Sequence, residues 1–351
     1  MQKLTIQTTA GDQFLARTMD FAFELGGRPV AIPRNHHFDS VTNADGFDSP
    51  YSFVGTGRDL NGYIFVDGVN EHGVSAAALY FSGQAHFTQQ TKAGKVNLAP
   101  HEVLMWILGN VKSTAELGER IADLNVMEAA APLLNIVVPL HWIISDKSGS
   151  TYVLELENDG VHYMKNPVGV MTNTPDFEWH LKNLSNYVNL QPGPHPSRQY
   201  GDMTVNPFGP GTGALGMPGD YTSVARFVRT VFMREHTDAV TTDAEAVNAL
   251  SHMLNSVEIP KGVKMQDNGT PDYTQYRAYM SMNEPAFYMQ PYADQTITRV
   301  ELTPALMTAA QPTEFELKTT QQELGRWECL VTIRQLHASF GRSSCVNIRM
   351  Q

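Results

Sequence analysis

Apolar and polar residues alternate through most of the first half of this chain, with the period of a half-buried strand. Leu4 and Ile6 alternate with Thr5 and Gln7, Gly11-Asp12 marks a turn, and Phe14 to Asp20 resumes the extended pattern. A hairpin is therefore predicted from residue 1. Further strands are predicted at Tyr63–Val66, Val74–Phe81, Trp142–Ser145, Thr151–Glu157, Val161–Met164 and Val168–Thr172. Asp67-Gly68 and Asp159-Gly160 are read as turn pairs between them.

A period of 3.6 interrupts this alternation twice. Pro100 suits a first helical position, followed by Val103, Leu104, Ile107, Leu108 and Val111 on one face. Ser113 with Glu116 has the spacing of a capping box ahead of Leu117, Ile121 and Leu124. The second cluster opens near Thr222 with Val224, Phe227, Val228, Val231 and Phe232. Thr242 with Glu245 repeats the capping spacing before Val247, Leu250, Leu254 and Val257. Tyr276 to Leu302 returns to strands. Blocks of strands separated by paired helices predict an α+β fold of stacked layers rather than βαβ units. Between the helical clusters, Gln191 to Asp220 is rich in Gly and Pro and has no Gly-Lys-Ser/Thr, so it has no phosphate-binding spacing and is read either as an irregular surface loop or as a segment that is functional or held by a partner.

Composition narrows the function classes. The chain has 351 residues, 42% hydrophobic and 17% charged, a globular balance. Its net charge of −11 would repel nucleic-acid backbones and anionic lipid, so neither is an expected partner. No stretch approaches the ~18 apolar residues of a membrane span. The first 20 residues carry Lys3, Asp12, Arg17 and Asp20 without an apolar run. Cys329 and Cys345 offer no disulfide framework, and a cytoplasmic location is predicted. The segment 323–351, with four Arg, two Glu and both cysteines, differs from the rest and is set apart as an atypical tail to a domain of residues 1–322. His36-His37 could ligate a metal, but adjacent residues diverge and no further ligand spacing supports them, so no metal or other cofactor is predicted.

Four motifs stand out: FLARTMDF (14–21), DGVNEHG (67–73), GVMTNTPDFEWHLKNL (169–184) and GTGALGMPGDYTSVARFVR (211–229). Together, and in this order, they resemble the choloylglycine hydrolase family of bile salt hydrolases and penicillin V acylases, over about residues 4–320. The resemblance implies an N-terminal nucleophile hydrolase fold, a four-layer αββα sandwich with two antiparallel sheets. It also implies hydrolysis of a small-molecule linear amide by an N-terminal cysteine. A free α-amine, with a pKa near ~7.7–8.0, is suited to take the thiol proton at neutral pH.

Carried over by position, the resemblance assigns roles to individual residues. Asp20 would hold the α-amine, Arg17 would favour the thiolate, and Asn173 would bind the oxyanion with the backbone N–H at Tyr80. Arg226 would brace the nucleophile. Tyr80 would also line the substrate pocket, where its phenol resembles penicillin V acylases more than bile salt hydrolases and suits an aromatic acyl group. The Gly/Pro segment, including Pro192 to Pro210, falls where the family embraces a neighbouring subunit, which implies a homotetramer.

Met1 occupies the nucleophile position itself. A thioether has no proton to lose and forms no acyl-enzyme, and a residue as large as Gln2 is expected to prevent removal of Met. Two functional classes follow: an amide hydrolase whose working atom is replaced, or a binding protein for acylated amines or bile salts that does not turn them over.

Overall fold

The computed structural model describes residues 1–132 and 135–321, and Met1–Gln321 form one compact unit. The segment 323–351 lies outside the described residues. The opening hairpin is Gln2–Gln7 against Gln13–Phe21, with Gln2 opposite Thr18 and Gln7 opposite Gln13. It sits in the middle of a six-stranded sheet. Val170–Thr172 flanks it on one side, and Tyr273–Ser281, Ala286–Pro291 and Thr298–Glu301 follow on the other. Both faces of this sheet are covered, so the alternation visible at residues 4–7 gives way to a run buried from Gln13 to Asp20.

A second, eight-stranded sheet runs in the order Gly160–Lys165, Thr151–Glu157, Leu140–Ser145, Ser75–Tyr80, Tyr63–Asn70, Phe53–Asp59, Arg28–Ile32, Thr313–Glu314. All its pairings are antiparallel. The helices Ser223–His236 and Asp243–Asn255 pack on the outer face of the first sheet, and Val103–Asn110 packs on the outer face of the second. The result is the four-layer αββα sandwich.

Several local expectations are corrected. Asp67 and Gly68 lie inside the strand Tyr63–Asn70, and the turn falls at Glu71–Gly73. Pro100 precedes its helix by a turn, and that helix starts at Val103 behind Glu102. The next helix ends at Arg120, so Ile121 lies in a 3₁₀ turn and Leu124 opens a short strand. Its capping box is half formed: the Ser113 hydroxyl accepts from Glu116 N, but the Glu116 carboxylate accepts from Lys112 N. The box at Thr242 and Glu245 is complete.

The strand Phe53–Asp59 was not legible because Gly55 and Gly57 read as loop residues. Gly55 is there for close approach: a Cβ would stand 2.0 Å from the Asp67 carbonyl oxygen on the paired strand. The Gly/Pro segment likewise contains an exposed hairpin, Arg198–Tyr200 against Met203–Val205.

Candidate active site

Register places the first residue. Gln2 pairs with Thr18 on one side and Thr172 on the other, so Met1 emerges from the ladder beside Asn173, which continues the strand Val170–Thr172. The Met1 amine donates to Asn173 Oδ1 at 2.6 Å and lies 2.8 Å from Asp20 Oδ2. Arg226, in the first turn of its helix behind the Thr222 N-cap, reaches the same two groups. Its Nη1 is 3.1 Å from Asp20 Oδ2, and its Nη2 is 3.0 Å from Asn173 Oδ1. Asp20 also accepts from the hydroxyls of Thr18 at 3.0 Å and Thr274 at 2.6 Å. Four strands, with the helix N-terminus, thus converge on one amine, one carboxylate and one amide.

These groups are buried, and their ionisation follows from it. Burial alone would push the Asp20 carboxyl up, but the α-amine and Arg226 outweigh it and hold it below the usual carboxylate range. Burial pushes the α-amine well below its ordinary value of 8.0. Arg226 adds to that and Asp20 opposes it. The site therefore holds an ionised carboxylate against an amine that gives up its proton readily.

Arg17 does not pair with Asp20, although they are only three positions apart. Their side chains leave opposite faces of the strand. Arg17 points between the sheets, where Nη1 donates to Asp67 Oδ2 at 2.9 Å and to the Val66 carbonyl at 2.8 Å. Its Nη2 lies 3.0 Å from Met1 Sδ and 3.1 Å from Met19 Sδ. The Met1 thioether sulfur thus stands where an ionisable sulfur would meet a guanidinium. Asp67 is fixed in turn by the Tyr276 hydroxyl at 2.7 Å and by Thr56 N–H at 3.0 Å.

Asn173 is held from both ends. Its Nδ2 donates to the Tyr80 carbonyl at 2.8 Å, and its own carbonyl accepts from His180 Nε2 at 2.9 Å. Burial drives His180 down to about 4, so the ring is neutral and Nε2 carries the proton. The helix bearing His180, Phe177–Asn183, is tied at its start by Glu155, which accepts from Phe177 N at 3.1 Å. The other Glu155 oxygen meets His141 Nδ1 at 2.8 Å.

Sequence reasoning missed Asp67, Tyr276, Thr274, Thr18, His180 and Lys3. Thr18, Asp67 and His180 lie inside three of the motifs, which was the available signal. Lys3 is fully buried and donates to the Ala78 carbonyl at 3.2 Å. Burial, then Arg17, push its ammonium well below its ordinary range. His36 and His37 lie on a separate small hairpin, with His37 against Asp48. Among the described residues, the one group with metal-ligand geometry is Glu157, Asp159 and His162, on the far edge of the second sheet.

A pocket opens at Met1. Pairing between Tyr63–Asn70 and Ser75–Tyr80 covers Val69–Ser75, Gly68–Ala76 and Asp67–Ala77 and goes no further, so the strands part beyond it. Two carbonyls on the parted strands, Val66 and Ala78, are taken by Arg17 and Lys3, which stand opposite each other in the facing sheet. The pocket fills this opening, with Ile64, Phe65 and Val66 on one side and Ala78 and Tyr80 on the other. Tyr80 contacts Phe21 edge-on at 5.8 Å.

With this geometry, comparison with known proteins is informative. The family described as linear amide C–N hydrolases, choloylglycine hydrolase family, matches residues 2–315. The chain is 30% identical over 302 residues to the bile salt hydrolase/transferase of Clostridium perfringens, covering 85% of this chain and 91% of the relative. It is 32% identical over 279 residues to the conjugated bile acid hydrolase of Lactobacillus acidophilus, covering 79% and 88%. The crystal structure of a cysteine-to-alanine variant of the conjugated bile acid hydrolase from Clostridium perfringens superposes with a TM-score of 0.85 at 27% identity, covering 92% of this chain and 99% of that one. The penicillin V acylase of Agrobacterium tumefaciens shares the fold, with a TM-score of 0.68 at 18% identity over 88% of each chain.

Proposed function

This chain belongs to the choloylglycine hydrolase family of linear amide C–N hydrolases, and from that premise we propose that residue 1 stands at the nucleophile position of an amide-cleaving site. The observation that carries this is the grip on the first residue: amine to Asp20 and Asn173, sulfur to Arg17. With a thiol there, the neutral amine takes the thiol proton and the thiolate adds to the amide carbonyl. The oxyanion is received by the second N–H of Asn173 Nδ2 and by Tyr80 N–H. The C–N bond then breaks, the departing amine takes the proton, and water hydrolyses the thioester. Met1 offers no such proton, so the chain with Met1 binds the acylated amine without cleaving it. Roles here follow position and contact: Asp20 and Arg226 hold the amine and the amide, and Arg17 faces the sulfur.

The lowered amine sets a pH dependence. A base with a depressed pKa stays unprotonated as pH falls from 8, until pH passes its shifted value. For the Met1→Cys chain, kcat/KM for penicillin V should stay flat below pH 8 and decline only at lower pH; a protonation limb centred near pH 8 would contradict the account.

The acyl group is apolar. Phe21, Phe23, Leu25, Leu60 and Ile64 line the pocket beside Tyr80, and ring packing on Tyr80 favours an aryl acyl group such as that of penicillin V. Similarity to bile salt hydrolases supports a second reading, conjugated bile salts. Relative kcat/KM for the two substrates with the Met1→Cys chain separates these readings, and a large excess for bile salts would remove the inference from Tyr80.

A homotetramer is proposed on the same footing. Around the exposed hairpin, Phe208 is 104% exposed and Tyr200, Met203 and Leu215 are exposed as well. Clustered apolar exposure of this kind calls for a partner surface. Light scattering is expected to return the mass of four chains, and Phe208→Ser to shift the population to smaller species. A single-chain mass for the unaltered protein would contradict the proposal.

A further inference from the structure

The chain leaves Asp20 along the wall of the pocket. Phe21 ends its strand, and residues 22–27 then run without regular structure to the strand Arg28–Ile32. Phe21, Phe23 and Leu25 all line the pocket. Residues 22–27 are half-buried or exposed, and Gly26 sits at a φ of +60°, so neither a core nor a ladder sets the course of this loop.

One side chain of the neighbouring strand sets it instead. Gln275 Nε2 donates to the Phe21 carbonyl at 3.0 Å and to the Phe23 carbonyl at 2.7 Å, while its Oε1 accepts from Leu25 N at 3.1 Å. Both N–H groups and the oxygen of the amide are thus used on alternate residues, the same three that line the pocket. Arg58 Nη1 adds a bond to the Leu25 carbonyl at 2.6 Å. Among the described residues, Gln275 and Arg58 are the side chains that hold the main chain of 22–27.

A β-bulge gives Gln275 this direction. The register between Tyr273–Ser281 and Gln13–Phe21 shifts between Thr274 and Tyr276, which leaves Gln275 as the extra residue and re-aims its side chain. Its neighbours serve the site directly: Thr274 donates to Asp20, and Tyr276 donates to Asp67. Three consecutive residues therefore fix the carboxylate at the amine, the carboxylate at Arg17 and the wall of the pocket.

Leu25 shows how far along the pocket that wall stands. Its carbonyl is bonded to Arg58, which pairs with Ile64, three positions before the Asp67 that meets Arg17. At ~3.3 Å per strand residue this is ~10 Å along the strand from Asp67.

We propose that Gln275 is a positioning residue that sets acyl-length specificity: by holding Phe23 and Leu25 as a wall remote from residue 1, it favours acyl groups long enough to reach that wall. This rests on the reading of the Met1 end as an amide site. A short acyl group stops before the loop and gains nothing from it.

The test uses the chain as it stands, with Met1 in place. N-acylglycines with acyl groups of about six and about twelve carbons are titrated calorimetrically. Gln275→Leu and Gln275→Glu both remove the two donors, so a folding defect in one variant leaves the other to decide. In each, affinity for the longer ligand should fall about tenfold and that for the shorter by less than about twofold. Amide hydrogen exchange over residues 22–27 should quicken in the same variants. An equal loss for both ligands, an unchanged affinity for the longer one, or a loss without quicker exchange overturns the proposal and leaves the amide-site reading standing. Failure of the unaltered chain to bind either ligand overturns the amide-site reading and this inference with it.

Discussion

Placing a thiol at residue 1 should raise amide hydrolysis by this protein by orders of magnitude. The Met1→Cys chain, expressed behind a removable initiator Met, should hydrolyse penicillin V or a conjugated bile salt at least about 10³-fold faster than the chain with Met1. The reason is chemical. The amine, the carboxylate that fixes it, the amide and the facing guanidinium are already in place. The thioether supplies neither a proton for the amine nor a nucleophile that water can later displace. Product release measured by chromatography on both chains decides it. Comparable turnover by the chain with Met1 would mean that the nucleophile lies elsewhere.

The second large effect is on stability. Asp67→Ala should destabilise the fold by about 3–5 kcal/mol. Arg17 is fully buried between the sheets, and Asp67 is the carboxylate that meets it, at 2.9 Å. Removing Asp67 leaves a desolvated guanidinium with the Val66 carbonyl, two thioether sulfurs and the Tyr276 ring face. It also strands the Tyr276 hydroxyl and Thr56 N–H. Asp67→Asn, which keeps hydrogen-bond acceptance, should cost less. Urea unfolding of the three chains measures the difference. A loss below about 1 kcal/mol for Asp67→Ala would show that Arg17 finds water or another partner.

What could be read from the sequence is what depends on neighbours along the chain. The strand at Thr151–Glu157, the helix behind Thr242 and the hairpin from residue 1 announce themselves by period and capping. Asp67 was hidden because Asp-Gly is a turn signal, and the same pair suits a buried strand whose backbone passes close to Gly55. The partners of Arg17 and Asp20 were hidden for a related reason. Spacing puts them on opposite faces, but which carboxylate and which guanidinium face each other depends on how two sheets align. Arg17 finds Asp67 at 50 residues' separation, and Asp20 finds Arg226 at 206. The parting of the strands after Asp67–Ala77 leaves no mark in hydrophobic pattern, because the released carbonyls are taken by side chains from the facing sheet.

Residue 1 is expected to carry the acyl group during turnover. Acid quenching of the Met1→Cys chain during turnover of penicillin V, followed by peptide mass mapping, examines it most directly. A phenoxyacetyl group carried on the N-terminal peptide as a thioester is the predicted result, and turnover accompanied by acylation at any other residue, or by none, would contradict it.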